Sequence, residues 1–153
     1  MALQIGDKIP AFTAKDDSGE LVNSADLIGE KPVVFFFYPK NFTPGCTKEA
    51  CAFRDSYEDF RSMGAEVIGI SSDSVSSHTK FKNKYRLPFT FLSDTNGKLR
   101  KLFGVKSELL GLLPGRETFV IDKDGVVRLK FNSMNASKHL GKAMDKVKEL
   151  TTV

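Results

Sequence analysis

The hydrophobic positions of this chain change period several times, and the changes separate predicted strands from predicted helices. Pro32–Tyr38 and Glu66–Ser71 are rich in apolar β-branched and aromatic residues, which is typical of strands buried on both faces. Between them, from Thr43 to about Met63, apolar residues recur at steps of four and three, which predicts a helix with one buried stripe. The stripe consists of Cys46, Ala50, Phe53, Tyr57 and Phe60.

The other predicted elements are shorter, and a looser segment, Val105–Pro114, interrupts them. In chain order they are a hairpin of Ala11–Ala14 and Glu20–Val22, a helix from Asp73 or Ser74 to Arg86, a strand Phe89–Leu92, a helix Lys98–Phe103, a hairpin of Thr118–Asp122 and Val126–Phe131, and a closing helix. This order predicts an α/β protein with a thioredoxin-like fold: a mixed central β-sheet flanked by helices, with an N-terminal β-hairpin. We expect a single domain over residues 1–153.

Composition and charge exclude several classes of function. The 153 residues carry a net charge of +4, but the lysines are scattered, except for a solvated face of the closing helix, and no aromatic residues interleave them. We therefore expect no nucleic-acid partner. No apolar run is long enough to span a membrane, so we expect no membrane partner. Two cysteines and two distant histidines also make a zinc site improbable, and no cofactor motif is present.

Cys46 is the residue whose position most favours reactivity. Thr43 can cap the predicted helix, Pro44 suits its first position, and Cys46 then falls in the first turn. The positive end of the helix dipole favours the thiolate, which is the nucleophilic form of cysteine. The alternative is a small buried hydrophobic residue at the head of the stripe.

Cys51 lies off the apolar stripe and is expected to be more exposed than Cys46. On an ideal helix the two Cα atoms would be roughly 8.7 Å apart, whereas a disulfide tolerates about 4.4 to 6.8 Å. The two thiols can bond only after local unwinding, which predicts a two-step thiol cycle rather than a permanent disulfide. The spacing also differs from Cys-x-x-Cys, so a general thiol–disulfide exchange protein fits less well.

Several motifs of this chain are familiar as a set. Pro39-x-x-x-Thr43-x-x-Cys46 resembles the active-site signature of the peroxiredoxins, and a second cysteine at Cys51 is similar to the peroxiredoxin Q group, also called bacterioferritin comigratory proteins. The resemblance extends over nearly the whole chain, through Gly64–Ser71, Leu92–Asp94 and Leu113–Asp122.

The resemblance implies an activity and a role for each site residue. The chain would be a thiol-dependent peroxidase for hydrogen peroxide and organic hydroperoxides, in which Cys46 is the peroxidatic cysteine and Cys51 the resolving cysteine. Thr43 and Arg116 would hydrogen-bond the thiolate and the peroxide, and Pro39 would shield the pocket. Glu49 could brace Arg116 or be a solvated surface residue, two readings that the sequence leaves equally open.

The resemblance also implies partners and a location. Thioredoxin would recycle an intrachain disulfide between Cys46 and Cys51, no cofactor would be needed, and the protein would be a monomer. Because the fold begins almost at Met1, without a transit segment, we expect a bacterial-type cytoplasmic protein or a trimmed mature plastid form. A redox sensor that passes its oxidation to a partner protein would use the same cysteines and is the alternative function.

Overall fold

The computed structural model describes residues 3–105, 107–108 and 113–151, so half of the predicted loose segment lies outside the described residues. In chain order its elements are β1 (Thr13–Asp16), β2 (Leu21–Asn23), α1 (Ser24–Leu27), β3 (Val33–Phe37), α2 (Pro44–Asp55), α3 (Tyr57–Ser62), β4 (Glu66–Ser71), α4 (Val75–Tyr85), β5 (Thr90–Ser93), α5 (Lys98–Phe103), β6 (Ser107–Glu108), β7 (Leu113–Pro114), β8 (Glu117–Ile121), β9 (Val127–Asn132) and α6 (Ser137–Thr151).

Seven of these strands form one mixed sheet in the order β2-β1-β5-β4-β3-β8-β9. The central strands β3, β4 and β5 are parallel, while β1, β8 and β9 pair with their neighbours in antiparallel fashion. Strands β6 and β7 form a separate antiparallel pair. The predicted mixed sheet is confirmed, and the two long apolar runs are its adjacent middle strands.

All five residues of β3 are buried, because helices cover both faces of the sheet. On one face Phe36 stacks on Phe53 of α2, with ring centroids 4.6 Å apart. On the other face Phe35 and Phe37 pack against Phe103 of α5, at 5.7 and 5.1 Å. The strand is therefore packed on both faces. Its carboxyl end leads through a short loop to the start of α2.

The single helix predicted from Thr43 to Met63 is wrong in one respect, since the structure divides it at Ser56. Ser56 has φ −107° and ψ 6°, outside the helical range, and α3 begins at the next residue. Neither glycine nor proline marks this break, so the sequence contains no signal for it. All five residues of the predicted stripe are nevertheless buried, because the two helices keep the same face toward the sheet.

The remaining boundaries agree closely with the pattern. The N-terminal hairpin is present but lies one to two residues further along than predicted, and α1 after it was not foreseen. Ser74 caps α4 by accepting from the Ser77 N–H, and Gly104 ends α5 at φ 71°. Within the described residues, no helix is both long and apolar enough to cross a membrane.

Candidate active site

A buried polar network fixes the loop that joins β3 to α2. The hydroxyl of Tyr38 donates to Asn41 Oδ1 at 2.5 Å, and the Asn41 N–H donates to Asp73 Oδ2 at 2.9 Å. Asn41 Nδ2 in turn lies 3.1 Å from His78 Nδ1. With Asn41 held in this way, Phe42 adopts φ 65°, which is unusual for a bulky residue. The loop therefore presents Thr43 and the start of α2 in one defined orientation.

Cys46 lies in the first turn of α2 and is 1% exposed, so the expectation of a buried thiol at a helix start is confirmed. Arg116, which directly precedes β8, donates from Nη2 to Cys46 Sγ at 3.2 Å and from Nη1 to Glu49 Oε1 at 2.6 Å. The guanidinium thus bridges two residues one helical turn apart. Its positive charge stabilises negative charge on the sulfur.

Glu49 is 1% exposed, so of its two possible roles the structure selects the brace of Arg116. Burial raises the pKa of Glu49 to about 8, because the loss of hydration outweighs the attraction of Arg116. Burial alone would lower the pKa of Arg116, but its negative partners Glu49 and Cys46 raise it. Arg116 therefore stays charged while Glu49 can hold a proton near neutral pH.

A histidine from the C-terminal helix completes the site, although no pattern in the sequence indicated it. His139, in the first turn of α6, is fully buried with Nδ1 3.6 Å from Glu49 Oε2. Its Nδ1 is also 2.7 Å from the hydroxyl of Thr118, and its Nε2 is 2.7 Å from the carbonyl oxygen of Ser133. Burial lowers the pKa of His139 to about 4. The imidazole is thus neutral at pH 7, and its approach to Glu49 is not an ion pair.

Two further residues shape the space around the arginine. Arg100 donates to the carbonyl oxygens of Gly115 and Tyr38 at 3.0 and 3.2 Å, which ties the residue before Arg116 to the end of β3. A Cβ atom at Gly45 would lie 3.2 Å from Arg116 Nη2. Glycine at this position therefore leaves the guanidinium room beside the helix.

Thr43 and Pro39 lie where the motif predicted, but Thr43 uses its hydroxyl differently. Thr43 occupies the N-cap position, yet its side chain does not cap the helix; Oγ1 instead donates to the carbonyl oxygen of Lys40 at 2.8 Å. The expectation of a side-chain cap is therefore wrong, since the hydroxyl bonds back to the turn before α2. Pro39 is buried two residues beyond the end of β3.

Cys51 is partly exposed and, like Cys46, is a free thiol. Both cysteines belong to the uninterrupted helix α2, so the geometric condition for their separation holds. One turn further along, Arg54 donates from Nη1 to the carbonyl oxygen of Tyr85 at 2.8 Å. This bond ties the end of α2 to the end of α4. In the described part of the chain, no cluster of three or more histidine, cysteine, aspartate and glutamate residues is arranged to hold a metal ion.

A mixed sheet between helices, with a cysteine–arginine pair at the start of the helix after the central strand, defines a thioredoxin-like thiol protein. The model of the AhpC/TSA family matches residues 5–130. Among curated proteins, the chain is 56% identical to "Peroxiredoxin Q, chloroplastic" of Suaeda salsa, over 91% of this chain and 65% of that protein. It is 53% identical to the protein of the same name from Sedum lineare, over 95% and 78%.

Solved structures give the same relationship. The fold matches peroxidoxin BcpB of Mycobacterium tuberculosis with a TM-score of 0.89 and 39% identity, over 97% of this chain and 98% of that one. It matches a PrxQ mutant of Xylella fastidiosa with the same TM-score and 26% identity, over the same shares. The chain therefore belongs to the AhpC/TSA family and, within it, to the peroxiredoxin Q group.

Proposed function

We propose that this protein is a thiol-dependent peroxidase that reduces hydrogen peroxide and organic hydroperoxides. The observation that carries the proposal is the 3.2 Å hydrogen bond from Arg116 Nη2 to the buried Sγ of Cys46. A permanent cation in contact with a thiol at a helix start favours the thiolate, which is the form that attacks an O–O bond. Membership of the peroxiredoxin Q group supports the same activity.

The site residues have distinct roles in the proposed reaction. The Cys46 thiolate attacks one peroxide oxygen, an S–O bond forms, and the O–O bond breaks to release water or an alcohol once the leaving oxygen gains a proton. Arg116 Nε is buried without a hydrogen-bond partner among the described residues, so it remains available to donate to a peroxide oxygen. The Thr43 hydroxyl donates a hydrogen bond to the carbonyl oxygen of Lys40, which leaves its own oxygen free to accept a hydrogen bond from the peroxide O–H. Pro39 shields the pocket without adding an N–H donor.

Cys51 completes the cycle as the resolving cysteine. Its thiol condenses with the Cys46 sulfenic acid, releases water and forms an intrachain disulfide, which a thioredoxin-like reductant then reduces. Because the two cysteines lie five residues apart in α2, the helix between them must unwind first. The partial exposure of Cys51 supports this assignment, since a resolving thiol must be reachable by the reductant as well.

Location and assembly belong to the same proposal. The chain spans about two thirds of the length of several curated relatives, including the Suaeda protein, and those relatives are named chloroplastic. Their names favour the plastid over the cytoplasmic alternative for this protein. We keep the expectation of one domain that acts as a monomer.

Peroxide consumption with thioredoxin and thioredoxin reductase tests the proposal. The Cys46→Ser variant should lose turnover, whereas Cys51→Ser should consume one equivalent of peroxide and then stop. Peptide mapping without reduction, after one equivalent of peroxide, should identify a Cys46–Cys51 link. Full turnover in Cys46→Ser would contradict the proposal. Negligible turnover of the unmodified protein, with a mixed disulfide to one target protein, would favour the redox sensor.

A further inference from the structure

The reactive thiol and the three side chains nearest to it in the site form a buried cluster with more potential anions than cations. Cys46 and Glu49 can each be an anion, Arg116 is a cation, and His139 is neutral at pH 7. All four side chains are 4% exposed or less. If both acids were ionised, a net charge of −1 would be buried, which is costly. One anion opposite one cation is the arrangement that the site can hold.

The hydrogen bonds around His139 show which acid keeps its proton. Nε2 lies against the carbonyl oxygen of Ser133, which can only accept, so the ring proton is on Nε2. Nδ1 is then an unprotonated acceptor, and it receives the Thr118 hydroxyl. A carboxylate at Glu49 would point Oε2 at this lone pair.

Glu49 itself is bonded on one side only. Oε1 accepts from Arg116, but Oε2 is buried without a hydrogen-bond partner among the described residues, 3.6 Å from His139 Nδ1. A buried carboxylate oxygen needs a hydrogen-bond donor, whereas the neighbouring His139 Nδ1 is a hydrogen-bond acceptor. A protonated Oε2 removes the conflict, because its O–H then faces the imidazole nitrogen while Oε1 still accepts from Arg116.

We propose that near neutral pH Cys46 and Glu49 share a single negative charge opposite Arg116, so that Glu49 is protonated on Oε2 when Cys46 is a thiolate. This inference rests on the proposed peroxidase function for its consequence, but the charge sharing itself concerns the reduced protein alone. Glu49 is a positioning residue rather than a catalytic one, because it acts on the sulfur through Arg116. Its protonation leaves the whole charge of the guanidinium to the thiolate.

Protons and charge balance over the proposed reaction. When the Cys46 thiol ionises, Sγ loses a proton and Glu49 Oε2 carries one, so the buried cluster stays neutral overall. The thiolate then attacks the peroxide, forms the sulfenic acid and releases hydroxide or an alkoxide. That leaving group takes up one proton, which Glu49 loses, and Glu49 returns to the carboxylate paired with Arg116. The cluster again contains one anion and one cation.

Other ionisable groups that face this cluster do not change the count. Tyr38, at the end of β3, interacts electrostatically with both Cys46 and Glu49, but burial raises its pKa well above the ordinary value, so it stays neutral. Arg100 also lies close enough to interact with Cys46, and burial lowers its pKa from the ordinary value without making it a proton donor near pH 7. The exchangeable proton therefore belongs to Cys46 and Glu49.

Infrared spectroscopy of the reduced protein tests the charge sharing without peroxide. Protein labelled with ¹³C-glutamate should show the C=O band of a protonated glutamate at pH 7, shifted relative to unlabelled protein. The band should disappear only above about pH 8, because burial alone raises the pKa of Glu49 to that value and a neighbouring thiolate raises it further. In Cys46→Ser the second anion is gone, so the midpoint should move down by about one to three pH units.

Cys51→Ser is the matched control, since it makes the same substitution on the same helix outside the cluster. It should keep the band and its midpoint. Absence of the band in the reduced protein would overturn the proposal, as would an equal midpoint in Cys46→Ser, since burial alone would then explain the proton. If the band behaves as expected but peroxide is not consumed, the proposed function fails while the charge sharing stands.

A kinetic consequence connects the cluster to catalysis. In a Cys51→Ser background, the rate of the Cys46 reaction with hydrogen peroxide should fall above about pH 8 as Glu49 ionises and competes for Arg116. Glu49→Gln should abolish that fall, while Glu58→Gln on the exposed side of α3 should retain it. A fall that persists unchanged in a folded Glu49→Gln variant would contradict the link.

Discussion

The bond between Arg54 and the carbonyl oxygen of Tyr85 should control how readily α2 unwinds. Arg54 Nη1 donates to this oxygen at 2.8 Å, and its Nε makes a separate ion pair with Asp55 at 3.0 Å. The break at Ser56 ends α2 immediately beyond them, so α2 can lose its structure without α3. We expect that Arg54→Gln accelerates disulfide formation between Cys46 and Cys51, because it removes the charged donor that anchors the segment.

The size of the effect follows from the exposure of the arginine. A hydrogen bond from a charged donor contributes about 1.5–3 kcal/mol when well buried. The Arg54 side chain is 34% exposed, so solvent weakens the bond. We therefore expect a loss of about 1 kcal/mol of local stability. A change of that size alters the population of the unwound state, and with it the rate of disulfide formation, by about fivefold.

Competition for the sulfenic acid measures this rate, and the absence of tryptophan makes a chemical readout preferable to fluorescence. After one equivalent of peroxide in the presence of dimedone, mass spectrometry gives the ratio of Cys46 adduct to disulfide. Arg54→Gln should lower the adduct share, whereas Asp55→Asn, which removes only the exposed ion pair, should leave it nearly unchanged. Equal ratios in Arg54→Gln and the unmodified protein, or an equal effect of both variants, would refute this reasoning.

Three further predictions concern packing, the arginine and pH. Gly69→Ala places a Cβ 2.6 Å from the ring of Phe91, so urea unfolding should show a loss of about 1–3 kcal/mol; an unchanged midpoint would contradict it. Gly45→Ala presses on Arg116 Nη2 and should slow peroxide consumption about tenfold without a comparable loss of melting temperature. Burial lowers the pKa of His139 from 6.5 to about 4, so the unfolded chain binds more protons there. The free energy of unfolding should therefore fall as pH drops from 6.5 toward 4, and His139→Gln, compared by urea titration at several pH values, should show a smaller fall.

The elements of the fold were largely predictable because their signals are local. The apolar run at 32–38 predicted β3, the change of period after Thr43 predicted α2, and the capping candidates Asp73 and Ser74 predicted the start of α4. The break at Ser56 was not predictable, because it interrupts the backbone without interrupting the buried stripe. The short helix α1 was missed for a similar reason, since four residues contain no full hydrophobic period.

The site was predictable to a smaller extent. The Pro39-to-Cys51 stretch predicted a buried thiol at a helix start and a second, more exposed thiol in the same helix, and both positions agree with the structure. The roles of these residues in a thiol cycle remain predictions. Glu49 lies about one helical turn after Cys46, so it shares the buried side of the helix with Cys46. It was not assigned there because a charged residue does not continue an apolar stripe. No pattern in the sequence indicated the buried hydroxyl of Thr118 or the imidazole of His139.

Sequence alone determined the local chemistry of this protein: a cysteine in the first turn of a helix behind a buried strand, and a second cysteine too far along that helix to bond with it while the helix is intact. Tertiary structure decided the charge environment. Arg116 reaches Cys46 because β8 pairs with β3, and His139 reaches Glu49 because α6 packs on α2. Helical periodicity acts between neighbours in sequence, whereas the interactions of buried charges depend on distance in space, so only the folded chain specifies which acid keeps the proton.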